Sequence, residues 1–325
     1  MDIEYLLFLQ DFRHSINDAL TPFLEQVSLF GVTYILLLPV FVYWCLDKRK
    51  GLFILAAWKI SVTLNALVKL TACVYRPWVR DARIIPAGDA ISTAGGYSFP
   101  SGHTMMATPL YGGMAMIAGR RKGLRALWIA AILVTGFSRN YLGVHTPQDV
   151  LVGLALGGLS LWAAAKLFGY FEAHPEKENR ALLAGFIIGI LTLLYISYKP
   201  YPLDYVDGRL LVDPDRMTRE AWGDVGGLMA LAAAWYVEKR WVRFSPVGLN
   251  PKGVVLCVLG MIPLCWMIGA LTGVTVGWFG PHWGRLVQQA ILIFYVIVLW
   301  PLAMKLCAGG KEGQPDGGDV QTNEE

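Results

Sequence analysis

The chain has 325 residues, of which 55% are hydrophobic and only 16% charged, with 12 Trp, a mean hydropathy of +0.47 and a net charge of +4. This composition excludes an ordinary soluble domain and points to the bilayer as the solvent. The small Lys and Arg excess, spread over short joints, suits membrane topology and makes no case for nucleic acid as a partner.

Residues 1–25 carry Leu6, Leu7, Phe8, Phe12, Ile16, Leu20 and Phe23 among Asp11, Arg13, His14 and Asp18. That pattern predicts an outer-surface amphipathic segment, with a plain lead-in to the first span as the alternative. The start MDIEYLLFLQ has no basic region and does not read as a cleaved signal peptide. Nine apolar stretches follow, near 26–46, 52–75, 102–119, 126–142, 148–171, 181–198, 223–237, 253–274 and 284–306. Each approaches the roughly 20 residues a membrane helix needs. The expectation is therefore an all-α, polytopic integral membrane helical bundle of about nine transmembrane helices, forming a single transmembrane domain over 26–307. Alternate joints hold fifteen Lys and Arg on one side and ten on the other. The bias puts the N-terminus outside and the C-terminus in the cytoplasm. The Gly-rich polar segment 308–325 is expected to be a disordered cytoplasmic tail. Five cysteines without a CxxC pair suggest neither a disulfide framework nor a zinc site, and Trp58 and Trp266, inside spans, read as packing residues.

The polar residues at span ends fall on the outer side. Lys69 and Arg76 are seven residues apart, two helical turns and about 10 Å of rise, which places two cations on one stripe before Pro77. They suit an anion, or snorkel to lipid headgroups. In Pro100-Ser101-Gly102-His103, Ser101 can cap a helix whose free N–H groups and dipole make a phosphate seat, with Gly102 permitting close approach. A plain capped helix start is the alternative, though it gives His103 no packing reason to be there. Arg139 offers a planar fork to two phosphate oxygens. His145 and Asp149, four apart around Pro147, let the carboxylate hold one ring nitrogen and leave the other as a nucleophile, or form a structural pair. Together the set suits phosphoryl transfer, with His145 attacking phosphorus and His103 protonating the leaving oxygen.

The pattern Lys69-x6-Arg76-Pro77, Pro100-Ser101-Gly102-His103 and Ser138-Arg139-x5-His145-x3-Asp149 resembles the three-part signature of the type 2 phosphatidic acid phosphatase superfamily. That superfamily includes membrane lipid phosphatases, glucose-6-phosphatase and vanadium haloperoxidases. The resemblance implies a metal-independent, cofactor-free phosphatase core over 52–171, on the second to fifth spans, with extra spans over 181–306. It implies that Lys69, Arg76, Ser101, Gly102 and Arg139 bind phosphate, that His103 is the general acid, His145 the nucleophile and Asp149 its orienting partner. The nine-span plan is similar to that of the glucose-6-phosphatase branch.

A site at span ends, near the headgroups, can take a phosphate whose tail stays in the bilayer. Membrane lipids and a phosphorylated lipid (phosphatidate-like, sphingoid or polyprenyl) are the expected partners, hydrolysed at the extracytoplasmic face. The alternatives are a soluble sugar-phosphate phosphatase, a phosphotransferase and, in another class, a transporter of a phosphorylated solute. The segment 199–222 reads as a long outer loop, a lid or a connector, and its Asp213-Pro214-Asp215 is weak evidence for a metal. The loop 78–99 is closer to the phosphate seat and is where selectivity is expected.

Overall fold

Three helix starts in this chain are written as a polar cap followed by Pro, whose missing N–H is not needed in a first turn. The computed structural model describes residues 2–31, 34–206 and 208–307, so the tail expected over 308–325 lies outside the described residues. The helices are α1 (Asp2–Ser15), α2 (Thr21–Phe30), α3 (Leu37–Phe41, continued by a π-helical turn to Leu46), α4 (Lys48–Ala72), α5 (Pro77–Arg80), α6 (Gly102–Ile117) and α7 (Lys122–Tyr141). They continue as α8 (Pro147–Ala173), α9 (Glu178–Tyr198), α10 (Pro214–Val237), α11 (Pro251–Phe279), α12 (Pro281–Phe294) and α13 (Trp300–Cys307). Two short strands, β1 (Tyr205–Val206) and β2 (Arg209–Leu210), make an antiparallel hairpin between α9 and α10. Thr146 and Asp149 form a capping box around Pro147 at the start of α8, and Asp213 and Asn250 cap α10 and α11 ahead of Pro214 and Pro251.

The protein is an all-α polytopic membrane bundle. Among the described residues five segments are long and apolar enough to cross a bilayer: α4 with α5, α8, α9, α11, and α12 with α13. The shorter α6, and α10 with its charged first turns, pack beside them. α4 is shared by two sub-bundles. On one side it meets α6 and α8, with α7 behind α6 and α2 on α7; on the other it meets α10, which packs on α9 and α12, with α11 outermost. Small residues bring α6 and α8 together: a Cβ on Gly157 would stand 2.7 Å from Cβ of Thr108.

Charged contacts sort the helix ends. At one end Lys48 pairs with Glu238 at 2.7 Å, Arg49 with Glu172 at 2.8 Å, and Lys239 with Glu178. Lys305 donates to the carbonyl of Val242 at 2.8 Å there. All eight candidate site residues lie toward the opposite end of their helices.

Three details differ from the sequence reading. Residues 2–30 form two helices, and α1 is pinned to the loop after α5: Arg13 Nη2 donates to the carbonyl of Ile85 at 2.9 Å and Gln10 Nε2 to that of Arg83 at 3.1 Å. The segment expected as a loop through Trp222 is helical from Pro214, because Asp213 Oδ1 accepts from Asp215 N at 3.0 Å and Pro214 sits in the first turn. Finally, Trp58 is buried as expected, but Trp266 is 67% exposed on the outward face of α11 and does not pack inside the bundle.

Candidate active site

Lys69 and Arg76 reach the site by different routes. Cys73 takes a left-handed conformation (φ 50°) and returns its N–H to the carbonyl of Lys69 at 3.0 Å, ending α4 one turn before Arg76. The residue before a proline avoids helical geometry, and Arg76 is extended (φ −63°, ψ 153°). The two cations therefore share no helical stripe, contrary to the spacing argument. Pro77 opens α5 instead of merely ending α4.

Arg76 is buried and cross-links two loops. Nε donates to the carbonyl of Gly96 at 3.1 Å, Nη2 to that of Gly95 at 3.1 Å, and Nη1 to that of Val144 at 3.0 Å. Gly96 has φ 71°, and a Cβ there would fall 1.8 Å from Sδ of Met217, so only glycine fits.

Nη1 of Arg76 also lies 2.8 Å from Nε2 of His145. A guanidinium only donates, so Nε2 must offer its lone pair and the ring proton must sit on Nδ1. Nδ1 lies 3.3 Å from Oδ2 of Asp149. The same oxygen accepts Ser98 Oγ at 2.6 Å and the N–H of Thr146 at 2.8 Å. Asp149 is thus a fixed carboxylate holding one imidazole tautomer. Asn140 Nδ2 donates to the carbonyl of His145 at 2.9 Å and fixes the loop from below. Burial, then the charges of Arg76, Arg139 and Lys69, push the His145 imidazole well below its usual pKa, so the ring is neutral.

His103, in the first turn of α6, is buried, and its Nε2 has no hydrogen-bond partner among the described residues. Lys69, Arg76, Gly102, His103 and His145 line one cavity of about 360 Å³. Asp149 stands behind His145. Two of the expected phosphate binders do not line this cavity. Ser101 is buried and its hydroxyl is committed within the chain, accepting Thr104 Oγ1 at 2.9 Å, while its N–H donates to the carbonyl of Asp149 at 2.9 Å. Arg139 lines a neighbouring cavity of about 230 Å³, where Nη1 donates to Ser28 Oγ at 2.6 Å and Nε and Nη2 have no partner among the described residues. The two cavities share Leu29, Ser92 and Thr93. An apolar groove of about 540 Å³ between α2 and α7, lined by Phe30, Tyr34, Leu127 and Trp128, shares Gln26 with the Arg139 cavity.

Sequence reasoning missed Ser98, Asn140, Ser28 and the α10 wall formed by Arg216, Glu220 and Asp224. Thr146 was legible, since Thr-Pro-Gln-Asp is a capping-box pattern. Nothing local marks Ser28 or the α10 residues, which arrive from more than 70 positions away from the motif residues they meet.

A bundle with a neutral histidine held by a carboxylate, beside two cations, a helix mouth and a second histidine, defines an integral membrane phosphate-ester hydrolase. Residues 50–173 match the PAP2 superfamily, and through this segment the chain belongs to it. A bacitracin transport permease protein of Bacillus licheniformis is 28% identical over 174 residues, covering 51% of this chain and 82% of the relative. Phosphatidylglycerophosphatase B of Bacillus subtilis is 29% identical over 177 residues, covering 49% and 79%. An undecaprenyl-diphosphatase of Sulfolobus acidocaldarius is 27% identical over 162 residues, covering 48% and 73%. No solved structure matches the chain.

Proposed function

We propose that the protein hydrolyses a lipid phosphate or diphosphate through a phosphohistidine on His145. The observation that carries this reading is the convergence of Lys69, Arg76, Gly102, His103 and His145 on one cavity, with the tautomer of His145 set by Asp149 and Arg76. A phosphate entering the cavity competes for Nη1 of Arg76 and frees the Nε2 lone pair. That lone pair attacks phosphorus as the bond to the leaving oxygen breaks, and His103, having taken a proton from the entering phosphate monoanion, delivers it to that oxygen. Water then attacks the phosphohistidine, gives its proton to His103, and releases phosphate as the N–P bond breaks. Lys69, Arg76 and the first N–H groups of α6 balance charge on the equatorial oxygens. Arg139 does so from the adjoining cavity with its two unused N–H groups, and Ser101 acts by fixing the helix mouth.

The apolar α2–α7 groove next to the Arg139 cavity, which in turn shares Leu29, Ser92 and Thr93 with the phosphate cavity, supports a lipid substrate over a soluble sugar phosphate. The relatives named for phosphatidylglycerophosphate and undecaprenyl diphosphate support the same choice. The fifteen-to-ten Lys and Arg bias supports an orientation with the site outside and the C-terminus inside. Labelling by an impermeant thiol reagent, added to intact cells, of a cysteine placed at Gly123 in a variant lacking Cys265 and Cys307 would reverse that orientation.

The test is phosphate release from a phosphatidate and a polyprenyl diphosphate by purified protein and its His145→Ala variant, with EDTA throughout. Release by the wild type alone supports the reading; release from sugar phosphates only would sink the lipid assignment. The relative named as a transport permease keeps one second reading open. Flux of a phosphorylated solute into liposomes that survives His145→Ala would favour transport.

A further inference from the structure

The superfamily segment supplies only part of the cavity wall. Residues Arg216, Met217, Glu220, Ala221 and Asp224 of α10 also line it, and they lie outside the matched segment. Their spacing puts them on one helical face. Within that face Met217 packs on Gly96, in the loop that holds Arg76, so the stripe is fixed to the phosphate seat. The polar members turn a second chemistry toward the cavity.

That chemistry is acidic. Glu220 pairs with Arg216 at 3.4 Å, and Arg216 has a side chain 58% exposed, so the two charges offset each other at the mouth. Asp224, one turn further in, accepts Thr63 Oγ1 at 3.4 Å through its backbone carbonyl, and its carboxylate has no hydrogen-bond partner among the described residues. Taken alone the stripe therefore carries one net negative charge, facing Lys69 and Arg76 across the same cavity and Lys59 near Asp224, and it offers acceptors in the cavity that also holds the unpartnered Nε2 of His103. Carboxylates repel a phosphate unless the rest of the substrate brings donors to them. A bare hydrocarbon ester brings none, and a diphosphate brings a second anion.

We propose that Glu220 and Asp224, with Arg216 at the mouth, form a subsite for the alcohol portion of the substrate. It takes a phosphate monoester whose alcohol carries hydroxyl or ammonium donors beside the phosphate, and it disfavours a diphosphate. The proposal rests on the lipid-phosphatase reading above and narrows its substrate class. The donor-bearing alcohol lies along α10 while its phosphate rests on Lys69, Arg76 and the start of α6.

The experiment measures kcat/KM of the full-length protein and of Glu220→Gln, Asp224→Asn and the double variant, in vesicles. Four substrates are compared: lysophosphatidate (hydroxyl donor), a sphingoid-base phosphate (ammonium donor), phosphatidate (no adjacent donor) and a polyprenyl diphosphate (anionic leaving group). The wild type should favour one or both donor-bearing esters over phosphatidate by about tenfold or more, the value of one hydrogen bond to a charged group. The variants should cut that ratio by a similar factor, and the arm that responds tells hydroxyl from ammonium. An equal loss on all four substrates would make the carboxylates structural and overturn the subsite. A wild-type preference for the diphosphate would overturn it too. Absence of release from every lipid would overturn the underlying lipid reading instead, and the subsite with it. Glu220, with its side chain 46% exposed, keeps the test intact should Asp224→Asn fail to fold.

Discussion

The two sub-bundles that share α4 bury polar groups for different purposes. In α4–α8 the buried charged side chains and histidines, Lys59 apart, gather at one end: Arg139 and His145 are 1% exposed and Asp149 is 2%. In α9–α13 they are scattered, and α11 is mostly outward-facing apolar surface. An unpaired polar group in a bilayer costs several kcal/mol, about 2–7 by transfer measures, so a cluster of them persists only where a network satisfies it. The first sub-bundle uses that cost to build a site. The second mainly supports it, through the α10 wall and through Gln289 of α12, whose Oε1 accepts Lys59 Nζ at 2.8 Å in the middle of α4. Lys59 also lies 4.0 Å from the ring of Trp58, so its charge is held by both sub-bundles.

On this division, changes in the first sub-bundle should abolish chemistry, and changes in the second, the α10 cavity wall apart, should cost stability. The largest effect is expected for His145→Ala, which removes the attacking lone pair. Phosphate release should fall by at least about 10⁴-fold in kcat, measured under saturating substrate. Asp149→Asn comes next. It removes the carboxylate that holds the proton of Nδ1, and an amide in its place can present the wrong tautomer to phosphorus. A loss of about 10²–10⁴ in kcat with little change in KM is expected; a KM effect alone would mean that Asp149 serves only as the capping-box partner of α8.

Gln289→Leu probes the other side of the comparison. It strands the Lys59 ammonium without its acceptor, at a cost of about 1–3 kcal/mol. The melting temperature in detergent should drop, while kcat per folded molecule stays within about threefold, as for a site independent of that contact. A large fall in kcat with unchanged melting would instead tie the middle of α4 to the chemistry.

How much of this was legible depended on distance along the chain. The bundle was readable because bilayer-length apolar runs carry their own signal, and His145 with Asp149 was readable because both sit within one helical turn. The shared stripe for Lys69 and Arg76 failed for a local reason, the left-handed Cys73 together with the constraint that Pro77 places on Arg76. The late start assigned to α10 failed because its first turns are charged and hydropathy overlooks them, although Asp213-Pro214 is a cap signal. Ser98 was hidden because its partner is 51 residues away, and the contact of Arg139 with Ser28 of α2 was hidden because 111 residues separate the two. Pairings of this kind exist only after the helices pack.

The smallest expected effect concerns protons on His145. Its imidazole is pushed below the unfolded value of about 6.5 by burial first and then by Arg76, Arg139 and Lys69. Below pH of about 6.5 the unfolded chain binds a proton that the folded chain does not, so this contribution to stability is present above that value and is lost progressively as pH falls from there through the lower folded pKa. The same shift keeps the nucleophile neutral in the free enzyme, so the acid limb of kcat/KM that belongs to His145 lies below 6.5. Arg139→Gln deletes one of the neighbouring charges without touching the His145–Asp149 contact, and the limb should move up toward 6.5 by less than about one pH unit. Both proteins are compared on one substrate, so the ionisation of the substrate's phosphate near pH of about 6 cancels from the difference. A limb that stays in place would mean that Arg139 is screened from the imidazole by what fills the two cavities, and that burial with Arg76 and Lys69 sets the proton affinity of His145 without it.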